Sequence, residues 1–289
     1  MPLLNLDTRV VVSVAGAEAE HFLQNILTTD LDQLLEGEAR PGALLTPQGK
    51  ILFDFLISRH GPEGFRLDVD RALADDFVRR LMLYRLRAKA QIEKQDQWFV
   101  AASWEIDSGP FQTDSGLIDG RFPEAAGVRR RYSAERAPDT GSAAEWTALR
   151  IRHGVAESGA DFAVSDVFPH DVLLDQNGGV GFRKGCYVGQ EVVSRMQHRG
   201  TARRRVLIAH SAAPLPPAGT AVTAGGKTVG ALGTTDGGNG LAIVRIDRVK
   251  EAMDAGVPIE AAGVALTLSI PAWARFTFPA DVSSAASEA

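Results

Sequence analysis

The stretch Arg183-Lys184-Gly185-Cys186-Tyr187-Val188-Gly189-Gln190-Glu191 carries the densest chemistry of this 289-residue chain. Its two glycines, four residues apart, permit turn conformations that other residues avoid. Gln190 to Gln197 then reads as a short helix with Val192, Val193 and Met196 apolar. Cys186 therefore sits just before a helix start, beside Lys184. The positive end of the helix and the cation both favour thiolate over thiol. A thiolate held this way is a nucleophile, a metal ligand or a redox sensor; the competing reading is a small buried hydrophobe. Cys186 is the single cysteine of the sequence. That excludes an intrachain disulfide and any Cys-only metal or cluster site built by one chain.

Working outward, the first two-thirds of the chain mixes strands and helices. A short β-branched run at 9–14 ends at Gly16, and a helix at 17–28 carries Phe22, Leu23, Ile26 and Leu27 on one side. Across 42–58, two apolar runs flank Thr46-Pro47-Gln48-Gly49-Lys50, the pattern of a hairpin. A strand at 65–69 precedes a helix from Asp70, whose Leu73, Phe77, Leu81, Tyr84 and Ala88 share one face. Strands are predicted at 90–94 and 98–103, and loops with short strands at 105–141. Ser142 and Glu145 form a capping-box pattern that opens a helix through His153, with Gly154 suited to its end. Beyond Arg205, β-rich runs at 206–209, 220–223, 228–234, 240–245 and 264–270 have the spacing of a small barrel or sandwich. The expectation is an α+β region over 1–205, divisible near 105–141, a β-barrel over 206–279, and a fraying tail at 280–289.

The eight residues from Lys184 to Glu191 fit a K-G-C-Y-x-G-Q-E pattern and so resemble the YgfZ family of folate-binding proteins, which contribute to iron–sulfur cluster assembly and repair. Phe22-Leu-Gln-Asn-Ile-Leu-Thr-Thr-Asp30, Leu45-Thr-Pro-Gln-Gly-Lys50, Arg199-Gly200, Gly240-Leu-Ala-Ile-Val-Arg245 and Pro271-Ala-Trp273 extend the resemblance over most of the chain. That family in turn resembles the T-protein of the glycine cleavage system, a tetrahydrofolate-dependent aminomethyltransferase. The resemblance implies a T-protein-like α+β region around a central channel, closed by a small C-terminal β-barrel. It implies tetrahydrofolate or a derivative as cofactor. Cys186 would be the functional thiol and Lys184 its electrostatic partner. Asp54, Arg152, Tyr187, Gln190 and Glu191 would lie toward the cofactor. Implied partners are iron–sulfur assembly proteins or client iron–sulfur enzymes, with tRNA-modifying enzymes served indirectly.

Two departures separate the chain from a working T-protein. Asp54 stands where that family has the second of two aspartates, but Phe53 fills the first place. Successive strand side chains face opposite ways, so retention of the acid depends on which of the two points inward. Arg152 stands at the place of a pterin-binding glutamate, and a guanidinium can only donate where a carboxylate accepts. A one-carbon transferase is therefore the alternative reading.

The formal net charge of −5 argues against a generally basic nucleic-acid binder. Arg183, Lys184, Arg195, Arg199, Arg203, Arg204 and Arg205 still form a local basic cluster. It reads as a solvated face with ion pairs, or as a rim for folate's glutamate tail, a cluster donor or tRNA. His170 with Asp171, and His198, read more simply as loop hydrogen-bonders than as site residues. No metal-ligand spacing is present, so a cluster needs ligands from a partner, a second copy or a small thiol. No apolar run is long enough for a membrane span, and the first residues lack a leader pattern. The expectation from these features is a cytoplasmic protein without membrane contact.

Overall fold

The computed structural model describes residues 1–104 and 116–279. The expected tail at 280–289, and part of the expected break at 105–141, lie outside the described residues. Nine strands form the first sheet: β1 (Leu3–Asn5), β2 (Arg9–Ala15), β3 (Glu38–Leu45), β4 (Ile51–Arg59), β5 (Gly64–Asp70), β6 (Gln91–Gln95), β7 (Phe99–Ser103), β8 (Leu117–Asp119) and β9 (Arg129–Ser133). Their order is β1-β7-β9-β8-β3-β4-β5-β2-β6. β3 joins the halves, pairing antiparallel with β4 and parallel with β8. α1 (Ala19–Gln24) and α2 (Ala74–Arg85) cover one face of the β2–β6 half. There Phe22, Leu23, Phe77 and Leu81 meet Phe53, Phe55 and Leu67 in one buried cluster.

α1 is shorter than the helix expected at 17–28. Leu27 and Thr28 leave it to engage β3: Leu27 bridges Leu44, and the Thr28 amide donates to the Ala43 carbonyl at 2.9 Å. A strand edge beside the chain offers those backbone groups partners, and this ends the helix early. α3 (Ala143–His153) has the expected box, with the Ser142 side chain and Glu145 each bonded to the other's backbone amide, and Gly154 in the left-handed region at φ 68°.

The barrel has seven strands: β10 (Arg204–His210), β11 (Ala221–Ala224), β12 (Lys227–Asp236), β13 (Asn239–Arg245), β14 (Ile259–Ala261), β15 (Val264–Ala265) and β16 (Thr267–Ser269). Their order is β15-β14-β11-β12-β13-β10-β16. One element has no counterpart in the sequence reading. α5 (Ile246–Asp254) follows β13 directly and buries Ile246, Val249 and Ala252 on the barrel core. Three apolar residues at a spacing of three, wedged among strand runs, are too few to stand out by periodicity. α4 (Gln190–Arg199) leads from the Cys186 motif to β10. Among the described residues no helix is long and apolar enough to cross a membrane.

Candidate functional site

The turn before α4 and the turn between β3 and β4 are packed against each other, glycine to glycine. Gly189 has φ 78° and Gly49 φ 79°, backbone that L side chains rarely adopt. A Cβ added at Gly189 would lie 2.5 Å from the Thr46 carbonyl oxygen and 3.1 Å from Gly49 Cα. A Cβ at Gly49 would lie 3.0 Å from Val192 Cβ. The glycines of the two most recognisable stretches are thus explained by one contact between them.

The other residues of the motif tie the loop down. Lys184 Nζ donates to the carbonyls of Leu27 and Thr29 at 2.8 and 2.7 Å, stapling the loop to the segment after α1. Burial lowers its pKa to about 8, against the pull of Asp30 and Asp32. Lys184, expected as the thiol's electrostatic partner, has its ammonium held by those two carbonyls. Tyr187 is buried with Leu45, Ile51 and Val193, and burial pushes its phenol above the ordinary value. Tyr187, expected toward the cofactor, is placed in this core cluster. Gln190 Nε2 donates to the Gly185 carbonyl at 3.4 Å and closes the loop. Glu191 pairs with Arg195 one turn along α4. Gln190 and Glu191 lie on an open surface depression with Ser194, Arg195, His198 and Arg199, so neither lines the central cavity. Cys186 is exposed. The result is one thiol displayed on a frame whose neighbours are all engaged.

The basic cluster divides. Arg195, Arg204 and Arg205 pair with Glu191, Asp166 and Asp175. Among the described residues Arg183, Arg199 and Arg203 have no ion-pair partner. His170 is fully buried, bonded through Nε2 to Gln197 Oε1 at 3.1 Å, with its backbone carbonyl accepting from Arg205 at 2.7 Å. Asp171 caps the turn at Phe168 and, desolvated there, has its pKa raised to about 6.

The centre of the molecule answers the question left by residues 53 and 54. Phe53 faces α2, its ring 5.2 Å from Phe77, and Asp54 faces the other way. Asp54 lines a cavity with Phe55, Arg121, Phe162, Leu174 and Trp273. Its Oδ1 is buried and has no hydrogen-bond partner among the described residues. Burial raises its pKa, with Glu157 adding and Arg9 and Arg121 opposing. Arg152, expected toward the cofactor, is exposed on α3 and does not line this cavity; Gly154 and Val155 lie there.

A ladder of buried ion pairs that sequence reading missed runs beside this cavity. Arg9 Nε donates to Asp68 at 2.7 Å, and Arg130 Nε lies 3.7 Å from the same carboxylate. Arg130 and Arg121 both donate to Asp119, at 3.0 and 2.9 Å. Arg121 also reaches Glu157 at 2.9 Å, Glu157 lies 3.4 Å from Arg150, and Arg150 donates to Asp161 at 3.0 Å. Asp161 then accepts from the backbone amide of Thr234 in β12 at 2.6 Å. The ladder therefore connects the first sheet to the barrel. Burial would raise Glu157, but Arg150, Arg121, Arg9 and Arg130 hold it at about 2. Burial would likewise raise Asp119, and Arg121 and Arg130 keep it below the ordinary value. These residues lie far apart in the chain, and no local pattern marks them.

The resemblance to the T-protein implies a pterin in the centre, and the cavity beside Asp54 is small for one. It holds about 30 Å³, room for a water, whereas ligand pockets run to roughly 300–1,000 Å³. Among the described residues Asp54 is the acid that lines it, with Arg121 beside it, and the neighbouring carboxylate Glu157 is engaged by arginines. Among the described residues no cluster of three or more His, Cys, Asp or Glu side chains is arranged to hold a metal ion.

Comparison with known proteins agrees with this architecture. Residues 203–276 match the family model described as the CAF17 C-terminal beta-barrel domain. The mitochondrial iron-sulfur cluster assembly factor IBA57 of Homo sapiens is 30% identical, covering 93% of this chain and 84% of that protein. IBA57 homologs named mitochondrial in Chaetomium globosum and Mycosarcoma maydis are 30% and 32% identical over 71% of this chain. The chain spans only 55% and 56% of the length of those two fungal relatives. A solved structure, the glycine cleavage system aminomethyltransferase T from Bartonella henselae, superposes with a TM-score of 0.70 at 16% identity, covering 94% of this chain and 85% of that one. At that identity the likeness is one of fold. These relatives are all named mitochondrial, which overturns the cytoplasmic expectation. A lack of leader pattern in the first residues was too weak a ground for a compartment. The resemblance to YgfZ narrows to what identity and coverage carry: the chain belongs to the family of the iron–sulfur cluster assembly factor IBA57, built on the fold of the glycine cleavage T-protein.

Proposed function

We propose that this chain is an accessory factor in iron–sulfur cluster assembly and that Cys186 is its functional group. The observation that carries the reading is the exposed thiol on a clamped loop. Lys184, Tyr187, Gly189 and Gln190 each have a structural partner, so the loop presents Cys186 without collapsing over it. Iron–sulfur clusters are generally held by four thiolates. One cysteine supplies one ligand, so the remaining ligands come from a partner protein, a second copy or a small thiol. Partners are accordingly assembly proteins or client iron–sulfur enzymes, and tRNA-modifying enzymes would depend on the chain only through their clusters.

Aminomethyl transfer to tetrahydrofolate is the weaker reading. Phe53 replaces one acid of the T-protein pattern, Arg152 is at the surface, and the central cavity is too small for a pterin. No step is therefore routed through folate. The test is Cys186→Ser in cells lacking the native protein. Activity of client iron–sulfur enzymes is expected to stay at the level of the deletion, and full restoration would refute the thiol's role.

A further inference from the structure

The end of α2 displays an apolar cluster ringed by cations. Among the described residues eight large hydrophobic side chains are exposed, and three of them, Met82, Leu83 and Leu86, fall within five residues. Leu83 is 64% and Leu86 83% exposed. Scattered single exposures are ordinary, but a cluster of this kind marks a contact surface. Residues 79–91, Arg79-Arg80-Leu-Met-Leu-Tyr-Arg85-Leu-Arg87-Ala-Lys89-Ala-Gln91, contain five cations and no acid. Arg79, Arg87 and Lys89 are exposed and Arg80 is half-buried.

The backbone holds this display in place. The Ala88 amide donates to the Arg85 carbonyl at 2.8 Å, closing a four-residue turn with Leu86 in its second position. Leu86 has φ 49° and ψ −105°. That is the first central position of a type II′ turn, a place dominated by glycine. The turn is pinned on its far side, where the Lys89 amide donates to Glu18 at 2.6 Å and Arg85 Nη1 donates to the Ala90 carbonyl at 3.1 Å. A leucine in a glycine-favouring conformation is thus 83% exposed on a fixed turn. Beside it a depression of about 390 Å³ is lined by Ala15, Gly16, Arg85, Ala88, Lys89 and Gln91 among others. The buried Nε of Arg85 has no hydrogen-bond partner among the described residues.

We infer that the end of α2 docks on an anionic lipid surface, with Leu83 and Leu86 entering the headgroup layer and Arg80, Arg87 and Lys89 lying at the phosphates. The apolar side chains project from a helix end and do not line a groove, which suits insertion into a bilayer surface better than a protein knob. Arginine and lysine stems run along apolar surface while their heads stay in the polar layer. Aliphatic insertion and juxtaposed cations act together in peripheral binding. This is docking at the surface, distinct from a membrane span, for which no helix among the described residues is long and apolar enough.

The test is sedimentation of the full chain with vesicles of phosphatidylcholine alone and of phosphatidylcholine mixed with phosphatidylglycerol, at low and high salt. Binding is expected to the mixed vesicles only, weakening with salt. The double variant Arg80→Gln/Arg87→Gln should lose roughly thirty-fold in apparent affinity, from about 1 kcal/mol per cation near an anionic surface. Leu86→Gly should bind more weakly while melting at a higher temperature, because glycine suits that backbone. A merely structural Leu86 would move the melting temperature without moving the binding. Failure to bind the mixed vesicles, equal binding to both vesicle types, or unchanged binding by Leu86→Gly would overturn the proposal. So would binding of polyglutamate with no binding to vesicles, which would make the surface a protein-docking one.

Discussion

The Cys186 loop packs on the turn of the β3–β4 hairpin, the Asp54 cavity lies along its strands, and the two handle polar chemistry in opposite ways. In the loop, Lys184, Tyr187, Gly189 and Gln190 are engaged while the Cys186 thiol is exposed. In the cavity, nearly every charge is paired with another charge, and the space left is about 30 Å³. One region is a presenter and the other is a girder. In a T-protein fold the centre is the expected place for chemistry. Here the open chemistry is at the surface, and the centre carries load between the first sheet and the barrel through Arg9, Asp68, Arg130, Asp119, Arg121, Glu157, Arg150 and Asp161.

The contrast is broken most sharply at its two ends. Cys186→Ser should abolish cluster-dependent enzyme activity in cells while leaving urea unfolding unchanged within about 0.5 kcal/mol, as for surface substitutions generally. Asp119→Ala should do the reverse. It strands Arg121 and Arg130 in a buried site, and breaking such a pair costs about 3–5 kcal/mol, read from the same unfolding curves. Equal stability of wild type and Asp119→Ala would mean that the ladder carries no load.

The pH dependence sharpens the same comparison. Glu157 titrates at about 2 in the fold against an ordinary value of 4.5. The folded state therefore binds fewer protons than the unfolded chain between those values. The stabilisation is complete above about pH 4.5 and is lost as pH falls toward 2, in total about 3 kcal/mol. Urea midpoints from pH 6 downward should fall for wild type, and this contribution should be missing in Glu157→Gln. The smallest effect belongs to the glycine contact. Gly189→Ala forces a side chain into the left-handed region against the Thr46 carbonyl, at a cost of about 1–3 kcal/mol. It should also lower cluster-assembly activity, because the loop that presents Cys186 shifts. Wild-type activity in this variant would show that the thiol does not need its frame.

Legibility from sequence followed the range of the interaction. Capping by Ser142 and Glu145, the hairpin at 46–50, the common face of Phe77 and Leu81, and the rhythm of the barrel strands are local, and each is readable in a window of a few residues. The motif around Cys186 was readable as a place, though the contacts of its members were not. Lys184 stands two residues from the thiol in the chain, but its ammonium bonds to carbonyls of residues 27 and 29. Tyr187 looked available beside glycine and cysteine, yet it turns into the core. Arg152 matched a family position by alignment and lies outside the cavity that position would serve. The ion-pair ladder was invisible, since its members are scattered from residue 9 to residue 161 and each looks like a surface charge when read alone.

By itself, the sequence determined an α+β region followed by a β-barrel, and a single thiol set among glycines before a helix. These follow from backbone preferences and hydrophobic spacing, which act over one or two turns of chain. Only the tertiary structure decided that the two glycine turns need each other, that Asp54 and not Phe53 faces the centre, that this centre is braced by salt bridges, and that the end of α2 is left uncovered. Those outcomes depend on which distant surfaces meet. Burial then turns ordinary charges into paired ones, while Cys186 stays exposed.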